Sequence, residues 1–130
     1  MKRIALVLSV VALLLGSAAY APAAMAKKAP GQVNIQEARL GPGGSVIVSG
    51  NVECTRQFFD LIVTVHQRSN VGTKHAFERC TSAFTPFTVI VFGEKSPFER
   101  GTAWIDWVVR DCGLSAGCID SRGDASLNIL

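Results

Sequence analysis

Gly44-Ser-Val-Ile-Val-Ser-Gly-Asn-Val-Glu-Cys54, then Thr55, Arg56 and Gln57, then Phe58-Phe-Asp-Leu-Ile-Val-Thr-Val-His-Gln-Arg68, is the stretch whose reading decides the fold. In the first run Val46, Val48, Gly50, Val52 and Cys54 share one parity, and Ser45, Ser49, Asn51 and Glu53 share the other. Successive side chains of an extended chain point to opposite faces, so this alternation predicts a half-buried β-strand. The second run repeats it, with Phe59, Leu61, Val63 and Val65 against Asp60, Thr64, His66 and Arg68. A three-residue polar break between two such runs predicts antiparallel neighbours, with Cys54 closing the inward face of the first.

Working outward, the N-terminus is of a different kind. Lys2 and Arg3 precede an apolar run from Ile4 to Leu15, and Ala24-Met25-Ala26 offers a small-x-small cleavage site before Lys27. This predicts a secretory signal peptide over residues 1–26. Ala19-Tyr20-Ala21 and Ala21-Pro22-Ala23 are further possible cut sites. The run falls short of the roughly 20 apolar residues of a membrane-spanning helix, so no span is expected after cleavage. Residues 27–31 then form a polar, proline-containing leader expected to be mobile, and 32–130 the single domain.

Without Lys2 and Arg3, the 13 basic and 10 acidic residues become 11 and 10, a formal net charge of +1. With no Lys/Arg cluster, that balance argues against a nucleic-acid partner. Cys54, Cys80, Cys112 and Cys118 all lie in the exported part. An even number in an oxidising compartment predicts two disulfides. Of three possible pairings, Cys54 with Cys80 and Cys112 with Cys118 suit a strand-to-strand staple and a tight hairpin. On the loop-entropy model these contribute roughly 3.5 and roughly 2.4 kcal/mol. A zinc site is disfavoured, because no C-x2-C knuckle is present.

The rest reads as further short strands. Val33 and Ile35, with Glu37 or Ala38, make a first strand before the turn at Gly41-Pro42-Gly43-Gly44. A turn over Ser69–Thr73 precedes a strand from Lys74 to Phe84, where Cys80 and Phe77 compete for the inward side and a bulge is expected. Phe87 to Phe92 is apolar on nearly every residue, predicting a strand buried on one face and partly covered on the other. In Gly101 to Cys112, Ala103, Ile105, Trp107 and Val109 face inward and Thr102, Trp104, Asp106, Val108 and Arg110 outward. The Cys112–Cys118 hairpin leads through Ser121–Asp124 into a last strand. Seven strands starting near residues 32, 45, 58, 74, 87, 102 and 124, with no helical period, predict an all-β, antiparallel two-sheet immunoglobulin-like sandwich.

The succession V-I-V-S-G-N-V-E-C (46–54), His66-Gln67, the Pro86-Phe87-Thr88-Val89 strand and F-E-R-G-T-A-W-I (98–105) resembles small secreted actinobacterial β-sandwich proteins of unknown function. The hairpin D-C-G-L-S-A-G-C (111–118) and the closing strand Ala125 to Leu130 are similar, more weakly, to the neocarzinostatin group of apoproteins. That likeness implies an exported immunoglobulin-like carrier of an apolar small molecule.

Catalysis has no positive signal. The only imidazoles are His66 and His75, and Asp60 lies roughly 20 Å along an extended strand from His66. If the strands at Phe58 and Thr102 are neighbours, His66 or Thr64 approaches Asp106 or Arg110 across the pair, which reads first as cross-strand polar pairing. No H-E-x-x-H helix or cofactor motif occurs. A small secreted enzyme is therefore a third reading, behind a binding or structural module and a carrier. Arg122-Gly123-Asp124 spells an integrin-recognised tripeptide and reads as a turn, and no N-x-[ST] acceptor exists. The strongest binding candidate is the outward patch Phe58, Ile62, His66, Trp104, Asp106 and Val108, facing an extracellular protein, glycan or small apolar molecule. Trp104 leads it, because an outward indole exposes a large apolar area unless a loop, such as that carrying Phe98, covers it.

Overall fold

The period-two pattern becomes two antiparallel sheets. The computed structural model describes residues 33–115 and 117–130, and the expected signal peptide, leader and domain start at residue 32 lie outside them. Seven strands follow in order: β1 (Val33–Leu40), β2 (Val46–Glu53), β3 (Phe58–Gln67), β4 (Asn70–Arg79), β5 (Phe84–Val91), β6 (Gly101–Gly113) and β7 (Gly117–Ile129). One sheet has the order β1-β2-β5, the other β4-β3-β6-β7. The chain therefore changes sheet between β2 and β3, between β4 and β5, and between β5 and β6.

The inner faces meet as the alternation requires. Val46, Val48 and Val52 of β2, with Phe87, Val89 and Val91 of β5, oppose Phe59, Leu61, Val63 and Val65 of β3 and Ala103, Ile105, Trp107 and Val109 of β6. Burying a large aliphatic or aromatic side chain is worth about 1.5–3 kcal/mol, so this layer dominates stability. Both disulfides form as expected, Cys54–Cys80 and Cys112–Cys118. Along the edges, Leu130 donates its N–H to the Ala38 carbonyl and accepts from Leu40, while Glu94 N–H reaches the Val71 carbonyl. The sandwich is thereby laced at both sides.

Several local expectations are corrected. The turn after β3 is tighter than Ser69–Thr73: Arg68 takes a positive φ of 57° and β4 already begins at Asn70. The β3–β4 ladder runs without a register shift, and the bulge lies instead in β1 between Ile35 and Glu37. There it turns Ala38 inward in step with Val33. β4 and β5 are separate strands, broken at Cys80–Ala83, and the outward side of β5 is not covered: Phe84, Ile90 and Phe92 are exposed. The last strand begins at Gly117 rather than Asp124. Phe98, offered as a cover for Trp104, is 2% exposed and belongs to the core.

The Arg122-Gly123-Asp124 tripeptide is mid-strand, paired with Val108, Trp107 and Asp106. A Cβ on Gly123 would lie 2.4 Å from Cζ2 of Trp107, so the glycine admits the indole rather than making a turn. The turn at Gly41–Gly44 does form, as one 3-10 turn with Gly43 and Gly44 at φ of 66° and 75°.

Candidate functional site

All six residues of the outward patch lie on the outer face of the β4-β3-β6-β7 sheet. Register makes this exact: His66 opposes Trp104, Thr64 opposes Asp106, Ile62 opposes Val108, and Phe58 opposes Cys112. Directly opposed residues share a face. The patch is not one site, however. It divides along the strands into a Trp104 end, an aliphatic middle of Ile62 and Val108, and a Phe58 end beside the Cys112–Cys118 disulfide.

At the Trp104 end, Nε2 of His66 is 2.7 Å from Oδ2 of Asp106, a direct ring N–H to carboxylate geometry. The indole of Trp104 rests against that imidazole, with ring centroids 4.5 Å apart and planes tilted by 37°. Further along the same face His75, directly opposite Ile62, reaches diagonally so that its Nε2 meets Asp60 Oδ1. Both imidazoles therefore hold a carboxylate, the orienting half of a base relay. Among the described residues no hydroxyl or thiol hydrogen-bonds either imidazole, and the neighbouring Thr64 hydroxyl pairs with Thr73. Arg110 bonds Asp120 through Nε at 2.9 Å, and this bond together with the Asp120 charge raises the guanidinium pKa further.

The Phe58 end is concave. Phe58 packs on Phe77 with centroids 5.1 Å apart. Together with Arg56, Gln57, Arg79, Cys80 and Leu114 they line a cavity of about 510 Å³. Arg56, Gln57 and Leu114 also border a second, more polar hollow of about 550 Å³, completed by Thr55, Gly113 and Ser115. Two large apolar side chains at the wall of the first cavity stand in solvent, Phe77 at 66% and Leu114 at 83% exposure. Such surface is costly in water and gains roughly 25 cal/mol per Å² when covered.

Gln57 ties this end together. Its N–H donates to the Cys112 carbonyl and its carbonyl accepts from Cys80 N–H, both at 2.8 Å. Its side-chain Oε1 accepts from Leu114 N–H. The Thr55–Arg56 approach is pinned by Asp111, which is fully buried. The Asp111 carboxylate accepts from Thr55 N–H at 2.8 Å, Thr55 Oγ1–H at 2.7 Å and Arg56 N–H at 3.2 Å. Three short segments far apart in sequence thus make one rigid cleft.

Of the patch residues, only Phe58 lines the cleft. Arg56, Gln57, Phe77, Arg79, Leu114 and the positioning Asp111 were not singled out by the sequence. Phe77 carried a usable signal, since an aromatic ring competing with a cysteine for the inward side must face out if the cysteine is disulfide-bonded. Leu114, an isolated aliphatic at a glycine-flanked hairpin tip, was another. Cys54, Cys80 and Asp111 bring three metal-type donors within 4.8 Å, but both sulfurs are disulfide-bonded and offer no thiolate. No helix among the described residues is long and apolar enough to cross a membrane. No family model, curated protein or solved structure matches this chain.

Proposed function

We propose that the protein is an exported, non-enzymatic binding module of immunoglobulin-like connectivity that takes a small amphipathic molecule in the cleft around Gln57. The observation that carries this reading is the pairing of a cavity of about 510 Å³, walled by Phe58, Phe77 and Leu114, with a polar hollow sharing the Arg56–Gln57–Leu114 wall. That size falls in the usual range of small-molecule sites, and an apolar wall beside a few fixed polar groups is their usual make-up. An apolar ring system would cover Phe77 and Leu114, and polar substituents would face Thr55 and Ser115. Arg79 places a cation at the rim, which favours a ligand with a neutral or anionic polar end.

The export part of the reading is supported by the signal-like residues 1–26 and by the two disulfides, which persist in oxidising compartments. The carrier reading and the weaker neocarzinostatin-group likeness both call for a concavity between the sheet face and the late hairpin, and this cleft occupies that position. The test uses the oxidised protein recovered from outside an expressing cell, titrated with the fluorescent probe 8-anilinonaphthalene-1-sulfonate. One saturable site is expected. Phe77→Ser and Leu114→Ser should each weaken it at least 10-fold with the thermal midpoint unchanged. Absence of a saturable site, or wild-type affinity in both variants, contradicts the reading.

A further inference from the structure

We infer that the opposite end of the same sheet face is a platform for a neutral, β-linked hexopyranose glycan, with Trp104 as the stacking surface. This site is separate from the cleft and uses none of its residues. Trp104 is 42% exposed and is backed rather than covered. Its ring leans toward β3, onto His66, whose imidazole is fixed by the 2.7 Å bond to Asp106. The platform is thus held in place before any ligand arrives, which lowers the ordering cost of binding.

What surrounds the indole selects the class of ligand. Its direct neighbour on β7 is the small Ser126, so the side away from His66 is left open. There Thr102, Ser126, Leu127 and Asn128 line a shallow depression of about 160 Å³. The Thr102 hydroxyl donates to Oδ1 of Asn128 at 3.3 Å, which orients that amide. In the next row Asp106 and Asp124 stand directly opposite each other. Like charges so placed destabilise a strand pair, and hydroxyl donors from a ligand would relieve them.

An apolar flat surface ringed by hydroxyls, an amide and two carboxylates matches a pyranose. The sugar has a face of axial C–H groups and an equatorial rim of hydroxyl donors and acceptors. An anionic glycan would be repelled by Asp106 and Asp124. All-equatorial, β-linked units present the flattest C–H face, and successive rings can follow the sheet.

The experiment is isothermal titration of the intact oxidised protein with cellohexaose and hexa-N-acetylchitohexaose, with hexagalacturonate as the anionic comparison. Wild type should bind at least one neutral hexamer, and the sugar should shield Trp104 from acrylamide quenching while buried Trp107 stays unaffected. Trp104→Ala should lower affinity at least 10-fold, Trp104→Phe should retain part of it, and His66→Ala and Asp106→Ala should fall between. Phe77→Ser, in the cleft, should leave it unchanged. Binding of neither neutral hexamer, equal binding by Trp104→Ala, or tighter binding of hexagalacturonate would overturn the assignment.

Discussion

The two faces of the β4-β3-β6-β7 sheet share one backbone and do different jobs. Leu61, Val63 and Val65 on β3 and Ile105 and Val109 on β6 are fully buried. Their sequence neighbours Ile62, Thr64, His66, Trp104, Asp106 and Val108 sit on the other side of the same peptide groups and are half-buried or exposed. The inner parity is constrained by packing, where a lost methylene leaves a void. The outer parity is constrained only by cross-strand pairing, which is worth a few tenths of a kcal/mol to about 1 kcal/mol per pair. Chemistry can therefore vary on the outer face at little cost to folding, and both candidate sites lie there.

The largest effect that would break this contrast is at Leu61. Leu61→Ala is expected to cost about 2–5 kcal/mol in chemical denaturation, whereas Ile62→Ala, one residue on, should cost under about 1 kcal/mol. Equal losses at both positions would mean the outer face is also part of a packed core. Next is Asp111→Ala, which takes the buried carboxylate away from two backbone N–H groups and a hydroxyl of the partly buried Thr55–Arg56 segment. A loss of about 3 kcal/mol is expected, with faster amide exchange at Thr55 and Arg56.

Gly123→Ala sharpens the comparison at the edge strand. Its methyl must displace the Trp107 ring, and about 1–3 kcal/mol of destabilisation should accompany a changed tryptophan fluorescence. The smallest effect is expected at His75, exposed on the outer face beside Asp60. His75→Ala should change stability by no more than about 0.5 kcal/mol, as exposed ion pairs do.

How much of this was legible follows the same division. β2, β3 and β6 are central strands whose inward parity is apolar over most of its length, so their facing and the fold class could be read directly, whereas the disulfide partners were read from the spacing of the cysteines. β4 is an edge strand whose inward parity carries Lys74 and Glu78. At an edge such charges reach solvent sideways and deter further strand pairing, and they also erase the alternation that would have fixed the phase of Phe77. β7 was hidden for a related reason. Its inner parity is Ser121, Gly123, Ala125 and Leu127, bare at Gly123 where the Trp107 ring fills the space, and Ser-Arg-Gly-Asp reads locally as a turn.

The outward patch was legible because register follows from parity. The cleft was not, because Gln57 assembles it through backbone bonds to Cys80 and Cys112 at long range. No local pattern records such bonds. Phe98 shows the converse: a loop residue by sequence, it fills the core because its N–H is tied to the Gly44 carbonyl, holding the loop against the 3-10 turn.

Exposed apolar side chains also lie on the other sheet, at Phe84, Ile90 and Phe92. The most direct test of where binding resides is therefore an amide chemical-shift map of the isotope-labelled, oxidised protein titrated with 8-anilinonaphthalene-1-sulfonate. Shifts concentrated at residues 55–58, 77–80 and 112–115 are expected, with β5 silent. Shifts centred on Phe84 to Phe92, or scattered across both sheets with no saturating set around Gln57, would contradict this placement.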